Sequence, residues 1–135
     1  MFSACSNLTD FNCDNLSSLT NGDCMFAGCH KLESFTSDLS SLTNGYAMFN
    51  STNLSSFTSD LSSLTNGSSM FSSCANLTTF SSDLSSLING WGMFNSTNLT
   101  TFNNDLSSLT DGRYMFAECT NLCSFSSDLS SLTNG

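Results

Sequence analysis

The carboxylates with the most regular spacing in this sequence form one column of aspartates, which recur every 22 to 24 residues. Carboxylate oxygens are the ligands that Ca²⁺ prefers, so the column predicts a candidate calcium stripe. The alternative is that each aspartate caps its own turn by accepting backbone N–H groups. The second interpretation is favoured, because calcium loops supply several oxygens to one ion and this column supplies one carboxylate per repeat. The column consists of Asp14, Asp38, Asp60, Asp83, Asp105 and Asp128.

Seven cysteines form the second reactive set, and an odd number cannot all pair within one chain. Cys5, Cys29, Cys74 and Cys119 share a column beside apolar residues, where free thiols are common. Cys5 and Cys29 lie in adjacent repeats, a spacing that permits a disulfide. Cys119 would share a column with Cys5 of another copy stacked end to end. Cys5, Cys29 and Cys119 are therefore candidates for disulfides or inter-subunit thiols, and plain free thiols are the alternative.

The most variable pair of positions follows a recurring glycine, and it contains the only tryptophan and both tyrosines. Tyr46 and Trp91 fall in one column two repeats apart, which predicts a separation of about 10 Å. Arg113 and Tyr114 occupy the same pair of positions one repeat after Trp91. Such aromatic side chains among small polar residues can stack on sugars or anchor a protein contact, so these four are candidate partner contacts. Ordinary surface variety is the alternative.

Composition excludes several other functions. His30 is the only histidine, and the sequence shows no recognisable Ser-His-Asp or Cys-His-Asn set around it. No phosphate-binding glycine loop is present. We therefore expect no enzyme activity and no cofactor. The net charge of −9 would repel phosphate backbones, which argues against nucleic acid. No apolar run reaches membrane-span length, which argues against membrane insertion.

All of these positions belong to one internal repeat. Met-Phe recurs at 1, 25, 48, 70, 93 and 115, and the shared unit reads M-F-x-x-C-x-N-L-x-x-F-x-x-D-L-S-S-L-T-N-G-x-x. All 12 phenylalanines and all six methionines fall in fixed columns. One unit has too few apolar residues to bury a face alone, whereas stacked units share a continuous core. Ser and Thr fill 45 positions, yet this regular apolar pattern argues against disorder.

The fold class predicted from the repeat is a leucine-rich-repeat-like parallel β-solenoid with short strands and helical turns. Six rungs of 22–24 residues would form a single domain, 1-135, with no recognisable caps. The recurring glycine is expected to adopt a left-handed conformation that ends a helical turn. The third and fifth units are one residue shorter between Met and Leu, so the longer period is a pair of rungs. The predicted rungs are 1-24, 25-47, 48-69, 70-92, 93-114 and 115-135.

The phrase L-x-x-F-x-x-D-L-S-S-L-x-x-G-x-x-M-F-x-x-C resembles the BspA-type leucine-rich repeat, whose unit reads L-x-x-I-x-I-P-x-x-V-x-x-I-G-x-x-A-F-x-x-C. Two departures are an aspartate in place of the family's proline and a polar residue at the second strand position. The resemblance implies an extracellular or cell-surface location, or a virion surface, and a role in adhesion or surface structure. It implies no catalytic residues. The framework positions of the first copies would be Leu8, Phe11, Leu16, Leu19, Gly22, Met25, Phe26 and Cys29.

Two classes of function follow from these features. The first is a non-catalytic extracellular structural or interaction protein, in which the repeat array serves surface adhesion or forms filaments end to end. Its partners would be other copies of itself, or a host or cell-surface protein or glycan. The alternative is a calcium- or glycan-binding adhesin module from a longer surface protein. An ice-binding solenoid is disfavoured, because leucines bracket each Ser pair and no Thr-x-Thr rows occur.

Overall fold

The computed structural model describes residues 1–135, and its regular structure consists of six strands of two residues each. Each strand ends on the second phenylalanine of its repeat. Its first residue is exposed in every case. The strands are β1 Asp10–Phe11, β2 Ser34–Phe35, β3 Ser56–Phe57, β4 Thr79–Phe80, β5 Thr101–Phe102 and β6 Ser124–Phe125.

The strands pair in parallel as three separate two-stranded sheets, β1 with β2, β3 with β4 and β5 with β6. Phe11 lies opposite Phe35, Phe57 opposite Phe80 and Phe102 opposite Phe125. The two junctions without strand pairing fall where the shorter third and fifth repeats begin. The alternation of longer and shorter repeats is therefore visible in the backbone as a unit of two rungs.

A second line of contacts joins all six repeats without interruption. Isolated parallel bridges link Asn21 to Asn44 and continue in the same column to Asn134. Beside them, the N–H of Gly45 donates to the carbonyl of Asn66 at 2.8 Å, and the N–H of Phe49 donates to the carbonyl of Met70 at 2.9 Å. These inter-repeat bonds hold the rungs in register along the corner formed by Asn-Gly and Met-Phe.

The core between these two lines is built from the fixed columns of Met, Phe and Leu. The two phenylalanine columns interlock, since Phe26 stacks on Phe49 at 5.5 Å while Phe35 meets Phe49 edge-on at 4.8 Å. The same alternation continues to Phe125. One buried cluster contains 27 apolar residues and spans the central repeats, so the repeats share one core. Each repeat thus depends on its neighbours for burial.

The expected helical turns are wrong, because the structure contains no helix. The segments in question are isolated turns, in which for example the Leu42 N–H donates to the Leu39 carbonyl at 2.8 Å. In each of the first five repeats, two positions adopt positive φ and prevent a helix from continuing. The first directly precedes the methionine, as in Ala47 at 49°, and the second follows it by three residues, as in Ser51 at 58°.

The recurring glycine also differs from expectation, since Gly22, Gly45 and Gly67 do not have positive φ. They are required for space. A Cβ on these glycines would lie 2.6, 2.8 and 2.9 Å from the Sδ atoms of Met48, Met70 and Met93, respectively. Real Cβ atoms essentially never approach another atom so closely. The glycine column therefore makes room for the methionine column.

Candidate functional site

The aspartate column lies on the turns that follow the strands, and five of its members accept a hydrogen bond from the backbone N–H two residues later. The bond is 2.8 Å long from Ser40 to Asp38 and from Ser62 to Asp60. Asp83, Asp105 and Asp128 make the same contact. These are the hydrogen bonds expected if each aspartate caps its own turn. They engage one oxygen of each carboxylate.

Asp14 differs from the other five because the first repeat contains an extra residue. Asn15 takes the place that directly precedes the leucine, and its Oδ1 accepts a hydrogen bond from Ser17 Oγ at 3.4 Å. The repeating column is therefore one asparagine followed by five aspartates. The sequence predicted Asp14 in this column, because the spacing does not show whether the extra residue of the first repeat lies before or after Asp14. In the structure, Asn15 has that position.

Hydrogen bonding lowers the pKa of two of these carboxyls. The backbone N–H of Ser62, and then its hydroxyl, lower the pKa of Asp60, and the same groups of Ser107 lower the pKa of Asp105. Both carboxylates are consequently held in the charged form by their own turns. No group of three or more His, Cys, Asp or Glu side chains gathers where a metal ion would be held.

All seven cysteines are free thiols in the structure, including Cys5 and Cys29. In the cysteine column, Cys29, Cys74 and Cys119 donate to the carbonyls of Phe2, Phe49 and Phe94 at 3.0 to 3.1 Å. Threonine takes this place in the shorter repeats, where Thr52 Oγ1 lies 3.3 Å from Cys74 Sγ. Burial raises the pKa of the Cys29 and Cys74 thiols, which disfavours the reactive thiolate.

The variable edge is the surface formed by the two residues after each recurring glycine, and it carries the exposed aromatic side chains. Trp91 is 41% exposed, Tyr46 45% and Tyr114 66%. The rings of Trp91 and Tyr114 meet edge-on, with centroids 6.1 Å apart and an interplanar angle of 78°. The sequence predicted that Trp91 and Tyr46 lie in one column. In the structure, the aromatic ring that Trp91 contacts is that of Tyr114 in the following repeat.

The two rings form walls of a pocket of about 270 Å³. The remaining lining residues come from the same repeats and the one before, and none is charged. Sequence reasoning missed them because serine and glycine are common throughout the chain, and only the stacking of repeats brings these four together. They are Ser69, Ser72, Gly92 and Asn95.

Arg113 lies on the variable edge but is held by its own repeat. Its Nε and Nη2 atoms donate to the two carboxylate oxygens of Asp111 at 3.0 and 2.7 Å. This bidentate contact lowers the pKa of Asp111. Asp111 replaces the asparagine found at this position in the other five repeats. The cation is therefore largely neutralised at the place where it would meet a partner.

A comparison with protein families matches residues 1–123 to the model of the BspA type leucine-rich repeat region, in six copies. The chain belongs to this family. Neither the curated proteins nor the solved structures contain a match to the chain. The resemblance found in the repeated motif is confirmed by the family match.

BspA-type repeats are generally non-enzymatic and typically occur in surface-associated and interaction proteins. The chain shares the repeat architecture of that family, with parallel strand pairs. None of its segments is a helix long and apolar enough to cross a membrane. Within this BspA-type array, the variable edge is the surface where exposed aromatic side chains, an unfilled pocket and sequence variation coincide.

Proposed function

We propose that this chain is a non-catalytic adhesion module of an extracellular surface, and that its repeats stack as an open solenoid which displays the variable edge to a partner. The observation that carries the proposal is the concentration of exposed aromatic side chains on that edge. Trp91, Tyr46 and Tyr114 are the only Trp and Tyr residues in the chain, and all three lie there.

Core positions and edge positions differ in how strongly they repeat, and this difference supports the proposal. The Met, Phe and Leu columns repeat because every rung must fill the same core. The variable edge is free of that requirement, because none of its residues belongs to the core cluster. Large aromatic residues that remain exposed gain little for folding, whereas they are enriched in binding surfaces.

Retention on coated surfaces tests the proposal. The chain is passed over an immobilised mucin-type glycoprotein, its enzymatically deglycosylated form and unglycosylated albumin, and bound protein is measured by surface plasmon resonance. The edge variant combines Tyr46→Ser, Trp91→Ser and Tyr114→Ser. We expect retention of the native chain on at least one of the first two surfaces, and a loss of at least about tenfold, or about 1.4 kcal/mol, in the edge variant. No retention above albumin, or equal retention of both proteins, contradicts the proposal.

A second candidate is end-to-end association, which is favoured by the apolar face of the sixth repeat. Phe125 is 42% exposed and Leu129 36%, and they border a hollow of about 80 Å³ lined almost wholly by apolar side chains. The same columns are fully buried in the central repeats. The group that would cover this face best is another repeat of the same pattern, either further along one polypeptide or from a second copy.

A further inference from the structure

The pocket on the variable edge has features that identify a class of ligand. We propose that the pocket lined by Trp91 and Tyr114 binds a neutral sugar ring. The inference rests on the proposed function of the variable edge and names the group recognised there. Three features support it: the aromatic walls formed by Trp91 and Tyr114, the polar floor formed by the other lining residues, and the absence of charged residues from the lining.

The walls suit a flat ring with C–H groups on its faces. The indole of Trp91 and the phenol of Tyr114 stand at 78° and both line the pocket, so a ring bound there can lie against the face of one aromatic ring and the edge of the other. The faces of aromatic rings carry partial negative charge and attract the weakly positive C–H groups of a pyranose. Each aromatic ring also has a polar group at its rim, which can hydrogen-bond to sugar hydroxyls.

Tyr114 occupies a position that its own backbone disfavours. Its φ is 58°, a conformation that is uncommon for a bulky side chain. At the matching position the other repeats have small residues, Cys24, Ala47, Ser69 and Gly92. Because Cys24, Ala47 and Ser69 share this backbone conformation, it is a feature of the repeat. What distinguishes Tyr114 is its large side chain, which is 66% exposed beside Trp91 and points to binding.

The floor of the pocket is open and polar. Gly92 has no side chain, and a Cβ there would meet only Ser69 Oγ at 3.7 Å, so the space above it is unfilled. Asn95 accepts a hydrogen bond from Ser96 Oγ at 3.0 Å. Asn50 is the matching residue two repeats earlier, and its Nδ2 also donates to the carbonyl of Ser72 in the next repeat at 3.1 Å. The Nδ2 of Asn95 makes no such bond. The Asn95 amide, with the hydroxyls of Ser69 and Ser72, remains able to bond to a ligand.

Charge selects a neutral sugar over an anionic one. No charged residue lines the pocket, and the adjacent Arg113 is paired with Asp111. The chain as a whole carries a net charge of −9, which repels carboxylated or sulfated sugars. At about 270 Å³ the pocket is slightly smaller than the ~300–1,000 Å³ usual for ligand sites, a size that suits a single ring.

Trp91 supplies the test, because it is the only tryptophan and its fluorescence reports this pocket alone. The native chain is titrated with the methyl glycosides of glucose, galactose, mannose and N-acetylglucosamine, with β-linked disaccharides of these, and with glucuronic acid and sialyllactose. We expect a saturable change in emission with at least one neutral sugar, with a Kd of about 1 mM. No saturable response to any neutral sugar, or a stronger response to the anionic sugars, overturns the assignment.

Two variants keep Trp91 as the reporter. Gly92→Leu fills the floor, and Tyr114→Ser removes one wall, so both should weaken sugar binding at least tenfold, or about 1.4 kcal/mol. Ala47→Leu is the matched control, because Ala47 has the same backbone conformation two repeats away and does not line the pocket. An undiminished response in both pocket variants overturns the proposal. If the glycoprotein surface still retains the native chain and rejects the edge variant while no sugar is bound, the sugar assignment fails and the proposed function stands.

Discussion

Gly45 near the end of the second repeat and Met70 at the start of the fourth lie against each other, so that a Cβ on Gly45 would be only 2.8 Å from Met70 Sδ and 3.2 Å from its Cε. Both residues are buried, and Leu64 closes the same space at 3.3 Å. The contact recurs from Gly22 to Met48 and from Gly67 to Met93. It links the two most regular columns of the sequence through packing.

Gly45→Ala should therefore destabilise the chain by overpacking, by about 1–3 kcal/mol in chemical denaturation. Because φ at Gly45 is not positive, the loss should come from the contact with Met70 and not from backbone strain. Met70→Val shortens the side chain and should recover part of the loss in a double-mutant cycle. Full additivity of the two substitutions would show that the glycine is required for another reason.

The central phenylalanines should carry most of the stability. Phe57 is 1% exposed, and its ring lies 4.7 Å from Phe71 and 5.2 Å from Phe49. Phe57→Ala should lower the free energy of unfolding by about 3–5 kcal/mol. Phe125→Ala is the control in the same column and should have a smaller effect, since that ring is 42% exposed. A loss below about 1 kcal/mol at Phe57 would contradict the shared core.

The turn aspartates predict a dependence of stability on pH. The Ser62 hydrogen bonds hold the pKa of Asp60 below its ordinary value, so the charged form is favoured by folding. That stabilisation is complete above the unfolded pKa of about 3.9 and is lost as the pH falls through the lower folded pKa. Asp60→Asn keeps a side-chain oxygen that can accept the Ser62 N–H but carries no charge, so this variant should lose less stability between about pH 7 and pH 2. Identical losses in denaturant titrations of the two proteins would contradict this account.

The repeat and the core columns could be predicted from the sequence, because one spacing recurs six times and every Met, Phe and Leu obeys it. The contact between Trp91 and Tyr114 could not, since it joins two different positions of adjacent repeats and depends on the direction of each side chain. The role of Gly45 was also hidden. A glycine that makes room for a methionine and a glycine that ends a helix have the same sequence signature.

Association through the sixth repeat should depend on its apolar face. Leu129→Lys together with Leu132→Lys places two charges on that face, where they would oppose burial against another repeat. We expect the native chain to form concentration-dependent oligomers in light scattering, and the doubly substituted chain to remain smaller. Leu129→Lys alone is the milder variant, because Leu129 is already partly exposed. A native chain that stays monomeric at high concentration would contradict end-to-end association.

The most direct measurement compares two surfaces of the same stack. The strand face, formed by the exposed first residue of each strand, is altered by combining Ser56→Ala, Thr79→Ala and Thr101→Ala. The retention of this strand-face variant on the glycoprotein surface is compared with that of the edge variant. Thermal melting followed by circular dichroism shows that both variants remain folded. The strand-face variant should bind like the native chain, while the edge variant should lose at least about tenfold, or 1.4 kcal/mol. Loss of retention in the strand-face variant with full retention in the edge variant would contradict the assignment of binding to the variable edge.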